Sequence, residues 1–241
     1  MKAVILAAGI ASRLRPLTNE TPKCLLEIGN KRILEQTVEN LLANDLTDII
    51  VVTGYLEIQI RNYLSDRFPC LNIHYIYNEV YATTNNIYSL GLVKEAVGEH
   101  SMLMMDSDIV FDPGIIEKLL RSGHENCLAL KKHPVGDEEI KVTVDSDDRV
   151  LEISKEVNPG EAIGESIGIE LFGSGMLAAL FRVIDRKVRI DGEANQFYEA
   201  AFQELIDEGY NLYAVDISDN FCMEIDTPDD LRIAGELVSG A

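Results

Sequence analysis

An apolar run from Ala3 to Ala8 stops at Gly9, and the loop beyond it carries Arg13, Arg15 and Lys23 among small residues and prolines. The run reads as a buried strand, and the glycine ends it where a backbone comes close to something bulky. Fixed cations on a loop of small residues can surround a polyanion, because guanidinium, ammonium and exposed N–H donors meet no steric barrier there. The chemistry this suits is the cradling of a phosphate chain. A second group, Asp106-Ser107-Asp108, follows the apolar run Ser101 to Met105. Two carboxylates at the exit of a buried strand suit a hard cation such as Mg²⁺, which takes one or two carboxylates together with substrate phosphates. The same acids also suit a plain turn, since Asp favours strand exits.

The elements that must position these groups follow from apolar periodicity. Strands are expected at Val4 to Ala7, Ile49 to Thr53, Ile73 to Tyr77 and Ser101 to Met105, with helices at Leu34 to Leu42, Glu57 to Leu64 and Asn86 to Val97. Strands alternating with helices of this length imply βαβ units and a mainly parallel sheet. Ligands of such sheets bind outside the carboxyl ends of the strands, so Gly9 and the Asp106–Asp108 pair should face one crevice. Asp112-Pro113 reads as a cap and first position of a helix running to about Leu120. From 126 to 172 the pattern alternates, at Lys141 to Val144, Arg149 to Ile153 and Ser166 to Phe172, which predicts antiparallel strands laid against the parallel sheet. Helices are expected at Ser174 to Ile184 and Asn195 to Glu208, and strands at Leu212 to Val215 and Phe221 to Glu224. Thr227-Pro228-Asp229-Asp230 opens a last helix with a hydroxyl cap and acids near its positive end. The expectation is one α/β domain over residues 1–241, with a nucleotide-binding half to 110 and an acceptor-binding half from 111, as no linker or repeat divides the chain.

The formal net charge of −20 argues against nucleic acid or an anionic membrane surface as partner. Residues 1–32 nevertheless hold six Lys or Arg against two acids, so the one basic segment is the loop itself. An anionic small ligand there is the economical explanation. Cys24, Cys70, Cys127 and Cys222 lack metal-ligand spacing and read as free thiols of a reducing compartment. With no stretch of transmembrane length, a cytoplasmic location is expected. G-x-G-x-x-G and G-x4-G-K-[ST] are both absent, which removes the dinucleotide and P-loop readings.

The first twenty-six residues resemble the opening of the sugar-nucleotide type of nucleotidyltransferases, L-A-A-G-x3-R-x2-P-L-T-x3-P-K-x-L-L, with every element present. Tyr81-Ala-Thr-Thr-Asn85-Asn86-Ile-Tyr-Ser89-Leu is similar to the Y-A-x-x-N-N-I-Y-S-L segment of bacterial phosphocholine cytidylyltransferases and their relatives. The likeness continues at Gly164-Glu-Ser-Ile-Gly168, at Gly192-Glu193 leading to Phe197-Tyr198, and at Glu224-Ile-Asp226, so it spans essentially the whole chain. It departs where Glu165 replaces an expected small residue and in the absence of any Trp.

The resemblance implies a Rossmann-like sheet flanked by helices and a Mg²⁺-dependent transfer of CMP from CTP to a small phosphorylated acceptor. It implies Asp108 and Asp226 as metal ligands, Arg13 on the triphosphate, Lys23 on the acceptor phosphate, and Leu6, Ala7, Ala8, Gly9, Asn85, Asn86, Ser89 and Asp106 around the nucleotide. Asp226 equally suits a role beside the helix dipole, and either Asn suits a helix cap. Lys155, in Ile153-Ser-Lys-Glu, matches a lysine aimed at acceptor phosphate in related sugar-phosphate enzymes, and also suits a solvated strand.

A phosphate monoester has a second pKa of about 6, so its oxygen is a nucleophile at neutral pH without a general base, and the site need only neutralise charge. Accordingly the four histidines show no ligand spacing or triad. Near the expected acceptor stand Glu165, Glu193 and Glu199 with Phe197, Tyr198 and Phe221, a set that suits a cationic head group. The alternatives are a sugar-1-phosphate acceptor, a glycosyltransferase using Asp106-Ser107-Asp108 as its Asp-x-Asp motif, and a non-catalytic nucleotide-binding module. Homo-oligomerisation is left open.

Overall fold

The computed structural model describes residues 1–239. Its first half runs β1 (Lys2–Ala7), two short strands β2 (Glu27–Ile28) and β3 (Lys31–Arg32), α1 (Ile33–Ala43), β4 (Ile49–Thr53), α2 (Glu57–Arg67), β5 (His74–Tyr77), α3 (Asn86–Leu92), α4 (Lys94–Val97) and β6 (Met102–Asp106). The second half runs β7 (Ile109–Phe111), α5 (Gly114–Arg121), β8 (Cys127–Lys131), β9 (Lys141–Val144), β10 (Val150–Ser154), β11 (Gly164–Phe172), α6 (Ser174–Arg189), α7 (Glu199–Asp207), β12 (Tyr213–Asp216), β13 (Cys222–Glu224) and α8 (Pro228–Ser239).

Strand order in the nine-stranded sheet is β10-β9-β11-β6-β1-β4-β5, with β8 beside β11 and β12 beside β8. The strands β6, β1, β4 and β5 are parallel, as the βαβ spacing implies, and β11 joins β6 antiparallel. The result is a mixed sheet flanked by helices. From Ala3 onward β1 is apolar because both its faces are covered: Val4 and Leu6, with Ala8 just beyond the strand, pack toward α3 and α6, and Ala3, Ile5 and Ala7 toward α1, α2 and α5. Among the described residues no helix is long and apolar enough to cross a membrane.

Strand β11 is the hinge of the architecture. One edge pairs with β8, while the other pairs first with β9 and then with β6. Gly168 lies where that edge passes between partners, at φ +72, in the left-handed region that favours glycine. A Cβ there would stand 2.8 Å from Asp106 Oδ2.

Three expectations are corrected. Asp112 does not cap a helix with its side chain: its carboxylate accepts from the Phe221 N–H at 2.9 Å, and its own N–H donates to the Phe221 carbonyl at 3.0 Å. The helix expected from Asn195 begins at Glu199, because the Tyr198 N–H is captured by Asn86 Oδ1 at 2.9 Å before it can enter a helical ladder. The helix from Asn86 to Val97 breaks at Val93 into α3 and α4. The cap at Thr227 is as expected, with its hydroxyl accepting from the Asp230 N–H at 3.2 Å while Asp230 accepts from the Thr227 N–H at 2.7 Å.

Substituting Gly168→Ala should lower stability by about 1–2 kcal/mol through the left-handed backbone, with further loss from the clash at Asp106. Urea unfolding of the variant checks this; an unchanged midpoint would show that the strand can move aside.

Candidate active site

At the carboxyl ends of β1 and β6 opens a crevice of about 390 Å³, to which both halves of the chain contribute. The backbone of Leu6, Ala7, Ala8 and Gly9 forms one wall, and a Cβ at Gly9 would meet nothing within 4 Å, so the space beside it is open. The loop beyond Gly9 is held by its buried residues Leu14, Thr18, Cys24 and Leu25. The Tyr55 hydroxyl, 2.9 Å from both the Thr18 and Asn19 carbonyls, and the Thr18 hydroxyl donating to the Ala11 carbonyl at 2.9 Å fix its path. A loop so anchored presents Arg13 and Lys23 to the crevice, whereas Arg15 is exposed and lies outside it.

Lys23 is the centre of the site. Its ammonium donates to Asp108 Oδ2 and Asp226 Oδ1, both at 2.7 Å, and Arg13 donates to Asp226 Oδ2 at 2.7 Å. The two acids, far apart in sequence, meet because β13 pairs with β7, putting Glu224 opposite Ile109, and because the Ile225 N–H donates to the Asp108 carbonyl at 3.0 Å. Burial alone would lower the Lys23 pKa, but Asp108 and then Asp226 outweigh it and hold the ammonium well above its ordinary value. Burial likewise opposes ionisation of Asp226, yet Lys23 and Arg13 keep it below the usual carboxylate range.

Carboxylate oxygens of Asp108, Glu224 and Asp226 lie within 4.8 Å of one another. Asp108 Oδ1 is buried and has no donor. Three hard anionic donors around an unsatisfied oxygen fit a divalent cation such as Mg²⁺. Glu224 joins the expected pair of Asp108 and Asp226. Loss of hydration, followed by the charges of Asp108 and Asp226, pushes its carboxyl up to about 8. Since Glu224 is exposed by area, crowding of like charge is the firmer of these causes.

Asp106 faces the same crevice but accepts from the Tyr198 hydroxyl at 2.8 Å. Its pKa is raised by burial, then by Asp108 and Glu199. Asn85 caps α3 by accepting from the Asn86 N–H at 2.8 Å, and Asn86 spends its carbonyl on Tyr198, which leaves its amide N–H₂ for a ligand. Ser89 accepts from Asn78 at 3.1 Å within a buried network, which leaves its proton and one lone pair.

The acceptor-side expectations divide. Lys155 lines the crevice, with Nζ 5.1 Å from the Phe197 ring centre and 3.4 Å from Glu138 Oε2. Tyr198 is wholly buried, and Glu199, 6% exposed, lines the wall beside it. Glu165 is turned away: it lines a separate cavity of about 220 Å³ and pairs with His133 Nε2 at 2.8 Å. Strand alternation accounts for this, since Glu165 and Ile167 both line that second cavity, whereas Ser166 and Gly168 line only the crevice. Glu193 is also outside, 3.3 Å from the Lys187 ammonium at the end of α6. Burial raises the Glu199 carboxyl to about 7, against the opposing pull of its own backbone N–H and of Lys155.

A family model described as nucleotidyl transferase matches residues 2–238. CTP:phosphoglutamine cytidylyltransferase of Campylobacter jejuni is 30% identical, over 97% of this chain and 98% of that one. Choline-phosphate cytidylyltransferase of Streptococcus pneumoniae is 28% identical over 99% and 98%. The solved structure of CTP:phosphocholine cytidylyltransferase from Streptococcus pneumoniae superimposes with a TM-score of 0.81 at 26% identity, covering 98% of each chain. The inositol-1-phosphate CTP transferase of T. maritima shares the fold, with a TM-score of 0.82 at 18% identity over 99% of this chain and 95% of that one.

Two outcomes are expected. Lys23→Met strands two partly buried carboxylates and should cost roughly 2–4 kcal/mol, somewhat less than the full penalty of a buried broken pair, since the Asp108 and Asp226 side chains are 22% and 28% exposed. Denaturant unfolding at low salt measures it, and added Mn²⁺ should restore part of the loss. Glu199→Gln tests the raised carboxyl. A group that binds its proton more tightly folded than unfolded favours the fold at low pH, and loses that contribution as pH rises through the folded value of about 7. The Gln variant should therefore match wild type near pH 4.5 and exceed it at pH 8 by on the order of 2–3 kcal/mol. Parallel stability curves for the two proteins would refute the assignment.

Proposed function

The chain belongs to the nucleotidyl transferase family, and on that footing we propose that it transfers the cytidylyl group of CTP to a small phosphorylated acceptor bearing a cationic nitrogen, releasing pyrophosphate. The observation that carries the reading is Lys23, 2.7 Å from both Asp108 and Asp226, on a loop that also presents Arg13. Two polyanions can meet only where fixed cations are paired with groups that can exchange them. The preference for CTP is supported by the named activities of the full-length relatives.

In this reading the backbone N–H groups around Gly9 and the Asn86 amide receive the nucleotide, with Arg13 against its phosphates. The acceptor phosphate dianion attacks the α-phosphorus through one of its own oxygens. A new P–O bond forms as the bond to the β-phosphate breaks, and the electron pair leaves with pyrophosphate. No proton moves, so the step needs no general base. Asp108, Asp226 and Glu224 would hold Mg²⁺, which when bound supplies charge neutralisation at the reacting phosphates. Lys23 and Arg13, released from those carboxylates, then turn to the phosphates themselves.

Pyrophosphate release measured with each of the four nucleoside triphosphates and a panel of acceptor phosphates tests the reading. CTP with a phosphorylated amine should be the productive pair, and Asp108→Asn, Asp226→Asn and Lys23→Ala should each reduce kcat by about 100-fold or more. If a nucleotide sugar were consumed with no pyrophosphate formed, the glycosyltransferase alternative would take its place. A neutral sugar 1-phosphate as best acceptor would remove the cationic nitrogen.

A further inference from the structure

Three carboxyls converge beneath the crevice from three elements: Asp106 at the end of β6, Glu170 in β11 and Glu199 at the start of α7. Glu170 is fully buried and Glu199 is 6% exposed. Among the described residues none of the three makes an ion pair. Their donors are the Tyr198 hydroxyl to Asp106 at 2.8 Å and the Ser166 hydroxyl to Glu170 at 3.2 Å, along with the Glu199 backbone N–H. Oε2 of Glu170 and Oε2 of Glu199 are buried with no donor at all. A folded chain rarely leaves such oxygens unpaired, because each forfeits its hydration without compensation. Glu199 and Asp106 line the crevice, which sets both carboxyls at its wall.

The cations nearby are already directed elsewhere. Lys155 lies over Phe197 and against Glu138, and Lys23 is held between Asp108 and Asp226. What the acids lack is a positive group that also carries N–H donors. We propose that Glu199 and Asp106 form the subsite for a primary ammonium on the acceptor, and that the crevice selects acceptors by the N–H donors of that nitrogen, rejecting a quaternary ammonium. This rests on the acceptor being a phosphorylated amine.

The rejection follows from what a trimethylated nitrogen needs. It donates no hydrogen bond, so Glu199 would stay unsatisfied, and its methyl groups require aromatic faces. The sequence has no Trp. Of the aromatic residues lining the crevice, Phe197 has the Lys155 ammonium over its ring, and Tyr198 is fully buried with its hydroxyl committed to Asp106. Tyr81 is packed against Gly54, where a Cβ would come within 2.7 Å of it, and its ring is tilted against that of Tyr55 with centres 6.3 Å apart. Among the described residues these three rings do not pair with one another into a cage for methyl groups.

The test is a series in which the charge stays constant while donors are removed: phosphoethanolamine, its N-methyl and N,N-dimethyl derivatives, and phosphocholine. With CTP and Mg²⁺, kcat/KM should fall along the series, by about tenfold or more from first to last, chiefly through KM. Glu199→Gln, which keeps shape and removes charge, should weaken phosphoethanolamine by a similar factor and bring the two ends of the series within about threefold of each other. Calorimetric titration of the same four compounds into the protein with CMP reads the subsite without turnover. A graded series by calorimetry with no pyrophosphate from CTP would overturn the nucleotide reading and leave the ammonium subsite standing. Robust CTP turnover with phosphocholine equal or best, or a Glu199→Gln variant with the series unchanged, would overturn the subsite alone.

Discussion

The Lys23 ammonium between Asp108 and Asp226 is the contact on which the rest of the crevice depends. It joins three pieces of chain that no local interaction would bring together: the loop after β1, the turn after β6 and the segment between β13 and α8. Each carboxylate would be costly in a partly closed site without a cation, and the ammonium would be costly without them. The surrounding backbone is arranged to keep the three in reach, with β13 paired to β7 and the Asp230 carboxylate of α8 accepting from the Asp226 and Thr227 N–H groups. A contact of this kind is strong and yet exchangeable, since any arriving cation can take over the carboxylates and any arriving phosphate can take over the ammonium. That exchange is what a site for two polyanions requires.

Much of this was legible in the sequence because it is written in local patterns. Val4 to Ala7 and Ile49 to Thr53 are apolar on both faces and had to be central strands, and the loop holding Arg13 and Lys23 carried its own spacing. Glu224 was missed, although period-two reasoning would have found it: Ile225 between Glu224 and Asp226 is fully buried, which puts the two acids on one side. Glu165 was misassigned by the same oversight, since its neighbours Ser166 and Gly168 take the crevice side of β11. Other features had no local signature. The capture of the Tyr198 N–H by Asn86 joins residues 112 positions apart, and it decides where α7 begins. Likewise Asp112 fits a helix cap by every local rule, and only the arrival of Phe221 gives its carboxylate a different partner.

The charge distribution carries the argument from fold to function. A chain of net charge −20 should repel nucleotides and phosphates at long range, yet its crevice gathers Arg13, Lys23 and Lys155. Screening resolves the tension, because at physiological salt charges more than about 8 Å apart are largely hidden from one another. The crevice also holds seven carboxylates of its own, Glu138, Glu139 and Glu224 among them, so a polyanion is drawn in only where a bound cation or the ligand's own positive group offsets those acids and leaves Arg13, Lys23 and Lys155 to its phosphates. The net charge of −20 is thus carried both over the chain at large and into the crevice itself.

Inside the crevice the balance reverses, and the stability of the fold is sacrificed to it. Among the described residues Asp106, Glu170 and Glu199 are drawn together without an ion pair, with only the charge of Lys155 acting on Glu199 from nearby, and the first and last line the crevice wall. Burial of a carboxyl is tolerable when the group is neutral and becomes expensive once it ionises, which the raised Glu199 value near 7 places within the neutral range. An ammonium entering the crevice reverses that penalty by returning both a charge and its hydrogen bonds. On the proposed ammonium subsite, the same acids that cost the fold stability would supply a gain on binding that a pre-neutralised pocket could not, open only to a ligand that brings both charge and donors.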